Sequence, residues 1–190
     1  MDIHNEIRPH SQLLKLLFAF KNKVGAVFKD ILGIHEINHI AITRVGIEQE
    51  IVIFSSTPAL EFNLFNSELW HYDQTYHPAW FRSGVQTSWQ SLYSPARYDE
   101  LYYLKQIKHH YPIGSSLAIR QDNVSYIYSL ASKQSCPQTQ EIFTNQSDDF
   151  RKIGLYCTNQ LQDLFITCDN LASLSKPKEF KQLIPMDSLV

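Results

Sequence analysis

Two pairs of apolar runs, each pair joined by a short polar turn, constrain the fold of this sequence more than any other feature. They cover residues 40–45 and 50–54 in the first pair, and residues 116–120 and 124–131 in the second. Both pairs are rich in β-branched residues, and the turns contain glycine, aspartate and asparagine, so each pair predicts a β-hairpin. Antiparallel hairpins that alternate with helices indicate an α+β fold, with a central antiparallel sheet flanked by helices on one or both faces.

Helical periodicity accounts for much of the remaining chain. Apolar residues recur at steps of three and four, and Thr-Pro and Ser-Pro pairs mark helix starts, because proline fits the first helical position. The pattern predicts helices over residues 11–32, 57–69, 94–109 and from 148 onwards, with N-caps at Ser11, Thr57, Ser94 and Ser147. Residues 135–147 are polar and are interpreted as partly loop.

The bulk properties fit one domain. A chain of 190 residues with 44% hydrophobic residues can bury a sizeable core, so we predict a single α+β domain over residues 1–175 and a loosely docked tail over residues 176–190. The net charge of −2 offers no basic field for a phosphate backbone, so we expect no direct contact with nucleic acid. The apolar run at residues 13–20 contains Lys15 and is too short to span a membrane, which favours a cytoplasmic protein.

Residues 35–39, His-Glu-Ile-Asn-His, match the H-E-x-x-H pattern of zinc hydrolases. That chemistry needs both histidines on one face of a continuous helix, together with a third ligand. Gly33 ends the preceding helix and β-branched residues begin soon after His39, so the segment is predicted as a connection whose histidines are exposed or hydrogen-bonded. A zinc-dependent hydrolase that uses His35, Glu36 and His39 remains a remote alternative, with the third ligand among His71, Asp73 and His77.

Other signals of catalysis or metal binding are weak. Cys136, Cys157 and Cys168 show no C-x-x-C spacing, so neither a disulfide framework nor a zinc cluster is indicated, and we predict all three as buried small apolar residues. The sequence contains no P-loop, no G-x-S-x-G and no G-x-G-x-x-G. We therefore expect no enzyme activity, no cofactor and no metal.

Residues 54–111 form the densest aromatic region of the chain and include all three tryptophans. Within it, residues 70–93 lack a steady period and are predicted as loops with a short strand near residues 85–92. Aromatic side chains with polar tips suit either a core with hydrogen-bonded hydroxyls or the wall of a small-molecule pocket. Asp73 lies among them, either as a turn cap or as the polar group that orients a bound ligand.

Four stretches of this sequence resemble, in order, the autoinducer-binding sensor domain of LuxR-type transcriptional regulators. They read INHIAITRV, SSTPALEFNLFNSELWHYDQTY, SGVQTSWQSL and YPIGSSLAIRQDNVSYIYSLAS. The resemblance places Pro58, Asp73, Trp89 and Gly114 at positions typical of the family. It implies a GAF/PAS-like α/β/α sandwich that binds a small molecule.

The resemblance also shows where this sequence departs from the family pattern. Glu61 stands in place of a tryptophan, Phe65 in place of a tyrosine that contacts the ligand, and Gln74 in place of a proline. A carboxylate in place of a tryptophan changes what the pocket wall can bind, so we expect a changed or vestigial ligand rather than an N-acyl homoserine lactone. The family carries a helix-turn-helix domain after the sensor, and this sequence ends near the point where that domain would begin, so we expect no DNA-binding domain.

Two functions from different classes follow from these observations. The first is a non-enzymatic small-molecule sensory domain, acting through a homodimer or a regulatory protein partner, whose ligand-binding residues would be Asp73, Trp89, Tyr72, Tyr76, Trp70, Glu61, Phe65 and Gly114. The second is a protein-interaction or dimerisation module that keeps the sensor fold with a closed core. A void among Trp70, Trp89 and Tyr102 would favour the first function, and a closed core would favour the second.

Overall fold

A computed structural model describes residues 6–175 of the chain, with side chains to residue 171. Both predicted hairpins are confirmed as long antiparallel strand pairs. The strands are β1 (Arg8–Pro9), β2 (His39–Val45), β3 (Glu50–Ser55), β4 (Thr87–Ser88), β5 (Ile113–Gln121) and β6 (Val124–Ser132). They form one sheet in the order β1-β3-β2-β6-β5-β4, in which only β1 pairs parallel to its neighbour.

Seven α-helices accompany this sheet within the described residues. They are α1 (Leu13–Ala19), α2 (Lys21–Lys29), α3 (Pro58–Asn66), α4 (Pro78–Phe81), α5 (Tyr98–Tyr102), α6 (Pro137–Asn145) and α7 (Ser147–Ser175). Single 3-10 turns cover Ile34–Glu36, Leu69–Tyr72, Gln74–Tyr76, Gln90–Leu92 and Pro95–Arg97, and a π-helical turn covers Tyr103–Lys108. None of the described helices is long and apolar enough to cross a membrane.

The helix predicted over residues 11–32 is in fact two helices. The backbone departs from helical geometry at Phe20, where ψ is 38°, and the first helix begins at Leu13 without a side-chain cap from Ser11. The break lets the segment turn at the edge of the sheet, because α1 packs against β3 and α3 whereas α2 packs against α7. Apolar residues continue at helical spacing through the break, so the pattern alone does not reveal it.

Two further segments differ from the prediction. Residues 135–147, interpreted as partly loop, contain the nine-residue helix α6, whose first residue is Pro137. The strand predicted near residues 85–92 is only two residues long and is followed by a 3-10 turn. The tail predicted over residues 176–190 lies outside the described residues.

The sheet is buried on both faces, which explains why its central strands are nearly continuous apolar runs. One face packs against α2, α6 and α7 through large side chains such as Ile42, Tyr128 and Leu130. The other face carries small residues, including Ala41 and Ala118. It is covered by α3, residues 69–93 and the helical residues 95–108, which together we name the aromatic layer.

Candidate functional site

Trp89 lies at the centre of the aromatic layer and is 2% exposed. Its indole N–H donates to Ser116 Oγ on β5 at 3.2 Å, and Ser116 in turn shares a hydrogen bond with Ser129 on β6. The indole packs directly on the backbone of Gly114, where an added Cβ would come 2.2 Å from Trp89 Cδ2. Two residues predicted to line the site therefore lie in contact, and the sheet fixes their position.

Asp73 is both a turn cap and a partner in a buried ion pair. Its Oδ1 accepts a hydrogen bond from the Thr75 backbone N–H at 3.1 Å, which caps the turn Gln74–Tyr76. Its Oδ2 lies 2.5 Å from Lys105 Nζ. The Lys105 ammonium also lies 4.5 Å from the centroid of the Trp89 ring. The structure thus brings Asp73 and Trp89 together around a cation from this same chain.

No motif in the sequence marks Lys105 as a site residue. It lies within the helix predicted over residues 94–109, where a lysine usually keeps its charge at the surface. The π-helical turn instead buries Leu104, Lys105 and Gln106 at three consecutive positions. Gln106 Oε1 accepts a hydrogen bond from the Tyr93 hydroxyl at 3.0 Å. The π-helical turn therefore contributes two side chains, Lys105 and Gln106, to the site.

A second buried pair, His39 and Glu61, lies near Trp89. Alternation along β2 turns His39 toward the aromatic layer, where its ring lies 5.8 Å from that of Trp89 and 5.1 Å from that of Tyr111. His39 Nε2 lies 3.4 Å from Glu61 Oε1, and the two side chains are 1% and 3% exposed. The prediction that His39 is exposed or hydrogen-bonded is therefore wrong, because its ring is buried and its nitrogens have no hydrogen-bond partner among the described residues.

Phe65, Trp70 and Tyr76 form an aromatic cluster beside these pairs. The rings of Phe65 and Trp70 stack at 5.4 Å, and the ring of Tyr76 meets that of Phe65 edge-on at 5.1 Å. Burial raises the pKa of Tyr76 well above its usual value, and the charges of Asp73 and Glu61 raise it further. Tyr76 of this cluster is therefore close enough to interact electrostatically with the carboxylates of both pairs, Asp73 and Glu61.

Tyr72 and Tyr102 lie at the rim of the aromatic layer. Tyr72 is half-buried and lies under the guanidinium of Arg97, 5.2 Å from its ring centroid. Tyr102 is 37% exposed and stacks on Tyr98. The Trp89 indole packs on the Gly114 backbone and lies under the Lys105 ammonium, so the space beside it is filled by the protein, as expected for the closed core.

A surface cleft leads to Asp73. It has a volume of about 390 Å³ and is lined by Glu6, Ile7, Trp70, His71, Asp73, Tyr76, His77 and Pro78. Asp73 is 2% exposed and its side chain is fully buried, so it lies at the inner wall of the cleft with its carboxylate covered. A neighbouring cleft of about 810 Å³ shares Trp70 and His71 and reaches Phe65.

The H-E-x-x-H segment does not have the geometry of a zinc site. His35 and Glu36 lie in a 3-10 turn with positive φ values of 50° and 60°, and His39 begins β2, so no helix joins the two histidines. His35 Nε2 lies 3.1 Å from Asp149 Oδ2 on α7, whereas His39 faces the opposite side of the sheet. Within residues 6–175, no group of three histidine, cysteine or acidic residues is placed to hold a metal ion.

The cysteines differ in their surroundings. Cys157 and Cys168 are buried as predicted, and burial raises their pKa to about 12 and about 11. The prediction is wrong for Cys136, which is exposed because it lies at the start of α6 rather than on an inward face. A hydrogen bond with the Thr139 hydroxyl lowers the pKa of the Cys136 thiol.

Comparison with known proteins identifies the fold. No protein-family model matches the sequence, and no curated protein is similar to it in sequence. Among solved structures, SdiA in complex with octanoyl-rac-glycerol matches with a TM-score of 0.56 at 12% identity, over 81% of this chain and 64% of the SdiA chain. The N-acylhomoserine lactone dependent LuxR family transcription factor CepR2 from Burkholderia cenocepacia matches with a TM-score of 0.51 at 10% identity, over 84% of this chain and 93% of CepR2.

The chain therefore has the fold of the autoinducer-binding domain of LuxR-type regulators, as the sequence resemblance implied. It spans less than two thirds of the length of the SdiA chain that it matches.

Proposed function

We propose that this chain is a non-enzymatic sensory domain that binds a small molecule between the sheet and the aromatic layer. The ligand would have an apolar body and a polar head. SdiA, whose fold this chain shares, is described in complex with octanoyl-rac-glycerol, a molecule of this type. We expect the domain to act in the cytoplasm through a homodimer or a regulatory protein partner, without direct contact with nucleic acid.

One observation carries this proposal. Among the described residues, the aromatic layer contains four buried side-chain atoms without a hydrogen-bond partner, which are Glu61 Oε2, Thr75 Oγ1, Gln86 Oε1 and Gln106 Nε2. His39, which faces the layer from β2, adds both ring nitrogens, of which Nε2 lies 3.4 Å from Glu61 Oε1. Buried polar atoms without partners are costly and rare in folded proteins. A concentration of them in one layer of the fold is expected where a polar ligand completes the hydrogen bonding.

The clefts support a route for such a molecule. The cleft that ends at Asp73 has Trp70 and Tyr76 in its wall, and the neighbouring cleft reaches Phe65. These rings suit an acyl chain or another apolar body, while the carboxylates deeper in the layer suit a head with hydrogen-bond donors. Glu61 in particular offers an acceptor where the family pattern has a tryptophan, which favours a hydroxylated head over a lactone.

Thermal unfolding with defined probes tests this proposal. We expect octanoyl-rac-glycerol to raise the Tm of the wild-type protein more than N-octanoyl homoserine lactone does, because its hydroxyl groups can donate to Glu61 Oε2. Glu61→Gln should reduce the shift, because it removes the carboxylate. Glu141→Gln, which changes an exposed residue of α6, serves as the matched control and should respond as wild type does.

Two results would contradict the proposal. The first is a Tm that neither probe changes at saturating concentration. The second is a shift of equal size in the wild type and in Glu61→Gln.

A second candidate function rests on a different observation. The Lys105 ammonium already fills the space between Asp73 and Trp89, so part of the layer is closed by the protein itself. A filled core would suit a protein-interaction or dimerisation module, and α7 carries the exposed apolar residues Tyr156 and Ile166. Light scattering measures whether the 22.1 kDa chain is a dimer in solution. A dimer whose Tm neither probe changes would favour the interaction module over the sensor.

A further inference from the structure

We infer that Asp73, Trp89 and Tyr93 form a recognition site for a primary ammonium group, and that the side chain of Lys105 is the internal occupant of this site. The ammonium contacts all three residues. Its Nζ lies 2.5 Å from Asp73 Oδ2, 4.5 Å from the centroid of the Trp89 ring and 5.2 Å from that of the Tyr93 ring. A carboxylate together with two aromatic faces is a well-suited environment for an organic ammonium ion.

The site is built rather than incidental. The side chains of Lys105 and Asp73 are 5% and 0% exposed, and lysine is almost never buried to this degree without a specific partner. The second oxygen of Asp73 is fixed by the Thr75 backbone N–H, and the Tyr93 hydroxyl is fixed by Gln106. The partners of the cation are therefore held in place by hydrogen bonds that do not involve it.

The local geometry of the helix directs the Lys105 side chain into the site. In Tyr103–Lys108 the backbone widens into a π turn, and Leu104, Lys105 and Gln106 are all buried. Such turns are rare in proteins, and those that do occur are often found at functional sites. The widening brings three consecutive side chains inward, and the middle one places its charge on Asp73.

Lys105 is the only described cation that contacts the Asp73 carboxylate. Asp73 lines the cleft beside Trp70 and Tyr76, but its side chain is fully buried, and Lys105 reaches the carboxylate from the helical residues 103–108. Removal of Lys105 would leave a buried carboxylate without a partner, so a molecule that takes the place of the lysine side chain must itself be a cation.

Chemical rescue of a Lys105→Ala variant tests the ammonium site. The substitution removes Cγ, Cδ, Cε and Nζ, which together have the shape of n-propylammonium. We expect n-propylammonium chloride to raise the Tm of Lys105→Ala saturably, by about 3 °C or more at roughly tenfold excess over its Kd. Equal concentrations of sodium chloride or of 1-propanol should not raise the Tm of Lys105→Ala. The Tm of the wild type should not respond to n-propylammonium, because its own lysine fills the site.

The partner carboxylate provides the decisive control. In the double variant Asp73→Asn with Lys105→Ala, the ammonium has no charged partner, so n-propylammonium should give no rescue. Equal responses to n-propylammonium and 1-propanol, or undiminished rescue in the double variant, would overturn the ammonium site.

A second measurement applies where Lys105→Ala does not fold. Lys105→Met retains the apolar stem and leaves Asp73 without its cation, and Asp73→Asn in that background removes the unpaired charge. We expect the double variant to be more stable than Lys105→Met alone, whereas equal or lower stability would contradict a specific charge pair.

Failure of this inference and failure of the proposed function are distinguishable. The proposed function is measured on the wild type with octanoyl-rac-glycerol, and the ammonium site on the Lys105 variants. If n-propylammonium rescues Lys105→Ala but octanoyl-rac-glycerol does not change the wild-type Tm, Lys105 is the internal occupant of a closed protein-interaction module. A shift of the wild-type Tm by octanoyl-rac-glycerol without rescue of Lys105→Ala would support the sensor and refute the ammonium site.

Discussion

The Cα of Gly114 supports the indole of Trp89 so closely that a Cβ at this position would lie 2.2 Å from Cδ2, 2.4 Å from Cε3 and 2.7 Å from Cε2. Trp89 cannot move away, because its other neighbours include the Lys105 ammonium, the His39 ring and its hydrogen-bond partner Ser116. The contact joins strand β5 to the aromatic layer and positions the centre of the candidate site.

Replacing Gly114 by alanine is expected to destabilise the protein. The added methyl group must displace a buried indole, and overpacking of this kind costs about 1 to 3 kcal/mol. Urea unfolding measures the change in the free energy of unfolding. Gly25→Ala is a matched control, because nothing lies within 4 Å of the added Cβ and Gly25 is exposed in α2.

The control should behave in the opposite way. Alanine is favoured over glycine within a helix by about 1 kcal/mol, so Gly25→Ala should leave stability unchanged or raise it. If Gly114→Ala proved as stable as Gly25→Ala, the packing of Trp89 on Gly114 would be refuted.

Gly154 makes a similar contact on the opposite face of the sheet. A Cβ at this position of α7 would lie 2.0 Å from Cδ2 of Tyr128, which is fully buried. We expect Gly154→Ala to lower the free energy of unfolding by about 1 to 3 kcal/mol despite the better helix propensity of alanine. Adding Tyr128→Leu should make the two effects less than additive, since the smaller side chain leaves room for the methyl group. Strict additivity in this cycle would show that the two residues do not interact.

The sequence predicted the parts of the fold that depend on local pattern. Runs of β-branched residues around a polar turn indicated both hairpins, and the long apolar repeat indicated α7. The break at Phe20 escaped prediction because apolar spacing continues through it while the chain rounds the edge of the sheet. Helix α6 was interpreted as partly loop although Pro137 marks its start in the same way that Pro58 marks α3.

The candidate site was only partly predictable. Asp73, Trp89 and Gly114 are far apart in sequence, and only the family resemblance indicated that they belong together. Lys105 was missed because its burial depends on a π turn and on a carboxylate 32 residues away, neither of which leaves a local signal. His39 was misjudged for a similar reason, since its partner Glu61 comes from a separate helix.

The position of the two histidines of the H-E-x-x-H segment leads to a prediction about metal. Because His35 and His39 face opposite sides of the sheet, they cannot share a zinc ion. We expect EDTA to leave the Tm unchanged and stoichiometric zinc to add no stability. A Tm that falls with EDTA, together with one zinc ion per purified chain by elemental analysis, would restore the hydrolase interpretation.

The three thiols should react at very different rates with Ellman's reagent. Cys136 is exposed, and its lowered pKa increases the thiolate fraction at a given pH, so its rate should reach half its maximum below the ordinary thiol pKa of 9.0. Cys157 and Cys168 are buried, with pKa values raised to about 12 and about 11, so they remain protonated at neutral pH. We therefore expect one fast thiol per native chain and three in urea, and Cys136→Ser should remove the fast phase. Fast reaction of a second thiol in the folded protein would show that the packing of α7 against the sheet opens under native conditions.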